Sequence, residues 1–232
     1  MKGVIIAAGM GSRLWNTTKQ IPKTLLPYNE GTILSTIMAQ LQLAGITELI
    51  VVVGFKKDYI INYLHNNPPS IPYTIVENPD WKNGNALSVY KVKEYVNDEP
   101  FLLSISDHLV KLEALQKIIE YPERINLLLT DPFYKDNFDV DDATKVQTEN
   151  DYITAIGKEL ANYDALDCGI FRLESDFFSA VEKAVQNGKE SISNAITELI
   201  FVKRIKSVML NKPNLWIDID TTEAYNFSKN FF

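Results

Sequence analysis

The chain has 232 residues, 46% hydrophobic and 23% charged, a balance that buries a sizeable core and excludes a disordered or collagen-like chain. Its net charge of −7 argues against a nucleic-acid or anionic-membrane surface, since both are bound by an excess of Lys and Arg. Cys168 is the only cysteine, which excludes an intrachain disulfide or a cysteine-based metal site and fits a reducing, cytoplasmic setting. The apolar run at the N-terminus breaks at Gly9, too early for a signal-peptide core. No stretch approaches the roughly 18 apolar residues of a membrane insertion. The length is that of one large domain covering 1–232.

Short apolar runs alternate with helical patterns along the chain, the signature of βαβ units around a mostly parallel sheet. Residues 4–8 predict a buried strand. Apolar residues at 33, 34, 37, 38, 41 and 44 have helical spacing and stop at Gly45. Residues 49–53 predict a second strand ending at Gly54, 59–64 a helix closed by Pro68-Pro69, and 73–77 a third strand. A helix over 86–96, a strand over 101–105, a helix over 112–119 and a strand over 125–130 follow. The polar, acidic stretch 132–142 reads as an insertion or lid over a site, and 144–149 with 152–157 as a hairpin. Residues 167–173 predict a strand, 175–185 and 193–201 helices, and 208–210 a last strand before Leu215-Trp216-Ile217-Asp218-Ile219-Asp220 and a short terminal helix. Phe227, Phe231 and Phe232 pack either on the domain or on a second copy of the chain, as in a homo-oligomer.

Ala7-Ala8-Gly9-Met10-Gly11-Ser12-Arg13-Leu14 follows the first strand directly. Small residues there let backbone N–H groups approach an anion, so Ala7, Ala8, Gly9, Gly11 and Ser12 are candidate ligand contacts. The dinucleotide fingerprint is absent, because no third glycine follows Gly11 at the required spacing, and no Gly-Lys-Ser/Thr makes a Walker loop. Arg13 inside the loop and Lys23 after Pro22 supply two cations that can converge on the same ligand. Asp107 stands at the exit of a predicted strand, where open α/β sheets bind ligands, and Asp218 and Asp220 form a second acidic group. Carboxylates in this pattern can hold a magnesium ion that also grips phosphate oxygens.

These residues make the chain resemble the sugar-phosphate nucleotidylyltransferase family, which opens on Ala-Ala-Gly, a glycine turn with Arg, then Pro-Lys. Lys82-Asn83-Gly84-Asn85-Ala86-Leu87-Ser88, Ser106-Asp107-His108, Asp142-Ala143-Thr144-Lys145-Val146, Ile156-Gly157-Lys158-Glu159-Leu160 and Asp167-Cys168-Gly169-Ile170-Phe171 narrow it toward the inositol-1-phosphate cytidylyltransferases. One departure is Ser106, where the family often has Gly. The resemblance implies a Rossmann-like three-layer α/β sandwich, the nucleotide-diphospho-sugar transferase fold, with a small β insertion. It also implies Mg²⁺ on Asp107 and the Asp218/Asp220 pair, with Asp218 ranked first. Gly84 and Asn85 would read the nucleobase, the second of them competing with a plain helix-cap role. Lys145 would hold the acceptor phosphate and Asp167 would face the acceptor hydroxyls.

The implied activity is magnesium-dependent transfer of CMP from CTP to a phosphorylated alcohol, inositol 1-phosphate first, with release of pyrophosphate. Arg13, Lys23 and Lys145 would carry the charge stabilisation. Hexose-1-phosphate uridylyl or thymidylyl transfer is the competing enzyme, and a catalytically silent nucleotide-binding subunit the non-enzyme reading. Phosphocholine as acceptor would require an aromatic box, for which Trp81, Tyr134 and Tyr163 are the residues to test. Of the histidines, His65 reads as exposed and His108 as a structural group beside the ion.

Overall fold

Strands that are apolar on both faces must be covered on both faces, and this dictates the layering. The structure, a computed structural model, describes residues 1–14, 21–133 and 140–232. β1 is Lys2–Ala7, β2 Pro27–Tyr28, β3 Gly31–Thr32, β4 Glu48–Val53, β5 Tyr73–Glu77, β6 Phe101–Ile105 and β7 His108–Val110. β8 is Asn126–Asp131, β9 Lys145–Glu149, β10 Tyr152–Gly157, β11 Ala165–Leu173, β12 Ile205–Met209 and β13 Trp216–Asp218. The central sheet runs β5-β4-β1-β6-β11-β8-β12-β10-β9. It is parallel across β5, β4, β1 and β6 and mixed beyond, where β11 runs antiparallel to both β6 and β8.

Alternate residues of one strand feed two cores, as the two-residue strand period requires. Ile5 and Ala7 of β1 pack with the helices Ile33–Leu43, Lys57–Asn66 and Leu112–Ile119. Val4 and Ile6 pack with Asn85–Tyr90, Asp176–Gln186 and Ile192–Phe201 on the other side. The result is a three-layer α/β sandwich. The Ile33–Leu43 helix starts on a capping box between Thr32 and Ser35.

The hairpin of β9 and β10 forms as the sequence predicts and extends the main sheet, with β10 on β12 and β9 curling back onto β11. The helix expected over 86–96 is two pieces, Asn85–Tyr90 and Lys93–Val96. Most of the stretch read as a lid, 134–139, lies outside the described residues. No helix among the described residues is long and apolar enough to cross a membrane.

Connections from β1 and β6 leave in opposite directions, to β4 on one side and, past β11, to β8 on the other, which opens a crevice beyond the carboxyl ends of these two strands. The short ladder of β7 and β13 adds the last part. It pairs His108 with Asp218 and Trp216 with Val110, and Ile219 N–H donates to the Asp107 carbonyl at 3.0 Å. Asp218 is thereby placed beside Asp107, 111 positions earlier in the chain.

Candidate active site

Two adjoining cavities occupy the crevice and share Asn85 and Ile105 in their walls. The first, about 270 Å³, is lined by Ala7, Ala8, Gly9, Gly11, Lys23, Trp81, Asn83, Asn85 and Asp107, among others. The second, about 250 Å³, includes Arg13, Asp142, Thr144, Lys158, Asp167, Ser193, Trp216, Asp218, Asp220 and Phe227. The glycine loop therefore walls one chamber and its arginine reaches the other. Gly11 sits at φ +61°, where a Cβ would lie 2.9 Å from the Cβ of Lys23, so the loop is pressed against the lysine. Ser12 opens the single 3-10 turn Ser12–Leu14 that carries Arg13.

Lys23 is the electrostatic centre. Its Nζ lies 2.6 Å from Asp107 Oδ2 and is also ion-paired with Asp220 Oδ1. Burial opposes its charge, but the carboxylates of Asp107, Asp220 and Asp218 outweigh burial and hold its pKa above the ordinary lysine value. Burial likewise works against the Asp107 carboxylate, and the charges of Lys23 and His108 overcome it, so its pKa falls. Asp218 goes the other way: burial is the largest effect and raises it, and with repulsion from Asp107 and Asp220 added, the charges of His108 and Lys23 do not bring it back down.

Asp107 and Asp218 fit a divalent cation on the evidence of their own atoms. Oδ1 of each is buried without a hydrogen-bond partner, and ligand atoms of Asp107, His108 and Asp218 lie within 4.8 Å of one another. Buried acceptor-only oxygens converging on one space are costly unless a cation is shared between them. Asp220 is engaged differently, salt-bridged to Arg13 and Lys23.

The acceptor-side residues separate. Asp167 lines the second cavity, with Oδ1 accepting from Gly169 N–H at 2.7 Å. Burial pushes its carboxyl up to about 6, against the pull of that N–H and of His108. Lys145 is not brought to the cavity: its Nζ donates to the carbonyls of Asp141 (3.0 Å) and Lys158 (2.7 Å) over the ring of Tyr163. Lys158 lines the cavity instead, 2.8 Å from Asp142 Oδ1, and Asp142 also pairs with Arg13. The sequence places Lys158 in the motif Ile156-Gly157-Lys158-Glu159-Leu160 and marks no role for it. Trp81 lines the first cavity and Tyr163 sits under Lys145, so these two do not share an acceptor box. Tyr134 lies outside the described residues.

Gly84 caps the Asn85–Tyr90 helix, and Asn85 Oδ1 accepts from Ile192 N–H at 2.8 Å. A Cβ on Gly84 would overlap the backbone carbonyl of Glu190, so this glycine joins two segments rather than lining either cavity. We expect Gly84→Ala to destabilise the fold by about 3 kcal/mol, a fall of about 6–12 °C in Tm for a chain of this size. Calorimetry checks it, and an unchanged Tm would refute the packing.

A family model described as nucleotidyl transferase matches residues 2–135. The chain is 29% identical to the bifunctional IPC transferase and DIPP synthase of Aquifex aeolicus over 98% of its length. It is 30% identical to the protein of the same description in Archaeoglobus fulgidus over 96%. It spans 51% and 42% of those two relatives. Among solved structures, the inositol-1-phosphate CTP transferase from T. maritima superposes with a TM-score of 0.86 at 25% identity, covering 96% of this chain and 90% of that one. A match over more than half the chain, on a fold shared throughout with that solved structure, makes this protein a member of the nucleotidyl transferase family.

Proposed function

We propose that the chain is a Mg²⁺-dependent cytidylyltransferase that moves CMP from CTP to a phosphorylated alcohol, inositol 1-phosphate first, releasing pyrophosphate. The observation that carries this reading is the pair of adjoining cavities, with Lys23, Asp107 and Asp218 at their junction and a separate cation, Lys158, in the second. The printed names of the relatives above support the choice of CTP and inositol phosphate.

In this mechanism an oxygen of the acceptor phosphate attacks the α-phosphorus of CTP. The new P–O bond forms as the bond from the α-phosphorus to the bridging oxygen breaks, and pyrophosphate leaves with the electron pair. The attacking oxygen is already anionic, so no general base is required. The barrier is repulsion between anions, and cations lower it. Backbone N–H groups of residues 8–11 and Arg13 hold the β and γ phosphates, and Lys23 neutralises the α-phosphoryl in transit. Lys158 receives the acceptor phosphate in the place now taken by Asp142, while Lys145 braces the hairpin. Asp167 and Ser193 orient the acceptor hydroxyls. A divalent ion held by Asp107 and Asp218 would supply charge stabilisation across the reacting oxygens. A cytoplasmic location belongs to the same proposal.

Lys158→Ala should raise the acceptor KM about 10- to 100-fold, the worth of one charge-assisted hydrogen bond, with the KM for CTP little changed. Lys145→Met should lower Tm and leave the acceptor KM near wild type. The reverse pattern in steady-state kinetics would return the phosphate to Lys145. The substrate assignment is tested by pyrophosphate release from CTP with inositol 1-phosphate, phosphocholine, aminoethylphosphonate, glycerol phosphate and glucose 1-phosphate in turn. Release with inositol 1-phosphate alone supports it. Release with UTP or dTTP and glucose 1-phosphate would replace it by hexose nucleotidyl transfer.

A further inference from the structure

The imidazole of His108 is held on three sides. Its ring stacks on Trp216 with centroids 5.5 Å apart and planes at 15°. Trp216 is fixed in turn by the bond from its Nε1 to Asp131 Oδ2, 2.7 Å long and buried. Beyond the ring lies Gly169 at φ +70°, where a Cβ would stand 2.5 Å from Nδ1. Glycine is required there twice, by the left-handed backbone and by the ring that occupies the space of its missing side chain. This glycine sits in the irregular stretch of β11 between Asp167 and Phe171, where the register to β8 shifts.

The third restraint selects a tautomer. Nδ1 lies 2.9 Å from the Cys168 carbonyl oxygen, and a carbonyl only accepts, so Nδ1 carries a proton, and when a metal ion takes the place of the proton on Nε2 it is the Nε2 lone pair that meets it. Nε2 is 3.6 Å from Asp107 Oδ1 and 3.7 Å from Asp218 Oδ2. Adjacent ligand atoms on an octahedral ion, each about 2.1 Å away from it, are about 3 Å apart, and opposite ones about 4.2 Å. The observed separations are wider than those of adjacent ligands and lie within the roughly 4.2 Å that one ion can span. The oxygens lacking any hydrogen-bond partner, Oδ1 of Asp107 and of Asp218, belong to the same group. A ring nitrogen donated to a backbone carbonyl, with the other nitrogen aimed at carboxylates, is how metal-binding histidines are oriented.

We propose that His108 is a third protein ligand, through Nε2, of the divalent ion that Asp107 and Asp218 hold, an inference that rests on the metal-dependent reading above. Two consequences follow for this chain. Three protein ligands let the ion load before any nucleotide arrives. A nitrogen among them raises affinity for Mn²⁺ and Co²⁺ relative to Mg²⁺, which favours oxygen-only shells.

The test is Mn²⁺ binding to the full chain without nucleotide, followed by the loss of the free-ion EPR signal, for wild type and His108→Asn. We expect wild type to bind and His108→Asn to bind at least about 10-fold more weakly. Pulsed EPR on Mn²⁺-loaded wild type should show coupling to a directly bound ¹⁴N, a readout that needs no variant and that a packing role for the ring would not produce. Equal affinity in the variant together with no nitrogen coupling would overturn the inference and leave a two-carboxylate site standing. Wild type that binds no Mn²⁺ at millimolar concentration would also overturn the inference, whereas pyrophosphate release that persists in EDTA would overturn the metal-dependent reading itself.

Discussion

Lys23→Ala should lower turnover by at least about 10²-fold, the usual cost of removing a preorganised charge stabiliser from a transition state. The KM for CTP should change far less, because Arg13 and the loop amides remain. The same substitution should lower Tm. Lys23 is nine-tenths buried and pairs with Asp107 and Asp220, so its loss leaves carboxylates buried against one another, and breaking a buried pair from one side costs about 3–5 kcal/mol. Turnover near wild type would remove Lys23 from the chemistry. Turnover lost with no fall in Tm would contradict the ion pairing.

Asp218→Asn should match it in activity and oppose it in stability. Without that carboxylate the ion loses one of its oxygen ligands, and turnover should fall about 10²- to 10³-fold. In metal-free buffer, however, the substitution removes a charge that burial and the carboxylates of Asp107 and Asp220 disfavour. Tm should hold or rise, the pattern of a residue kept for function at the expense of stability. The contrast is measured by thermal unfolding of the two variants in EDTA. A parallel fall in both would mean that Asp218 is structural. With Mg²⁺ added, wild type should gain stability by ligand linkage and Asp218→Asn should not.

Much of this architecture was legible locally. The strands at 73–77 and 101–105 and the helix at 112–119 stand on the predicted bounds, because each is an apolar run of the right period between turn residues. The helix over 86–96 is broken in the structure because its apolar positions 86, 89, 92 and 96 serve a continuous helix and two short ones equally well. β7 was missed: three residues after Asp107 carry no period, and its partner strand begins at Trp216. That ladder brings Asp218 to His108, so the role of the histidine was hidden with it.

The lysines show the same limit. Lys145 and Lys158 flank one hairpin, with Lys145 paired opposite Gly157, the neighbour of Lys158. Which one faces the cavity depends on the pleat and on the carbonyls of Asp141 and Lys158 that capture the Lys145 ammonium. No spacing rule carries that information. Gly84 likewise reads as a helix start from its neighbours, while its reason for being glycine is Glu190, 106 positions away.

The most direct test of the account follows the phosphorus. Wild type is incubated with inositol 1-phosphate, Mg²⁺ and CTP labelled in turn at the α and the γ position, and the products are separated. Label from the α position should enter a cytidine diphosphate ester of inositol and label from the γ position should leave as pyrophosphate, both only when the divalent ion is present. Transfer of the γ label to inositol phosphate, or CTP bound without release of either label, would contradict cytidylyl transfer at this site.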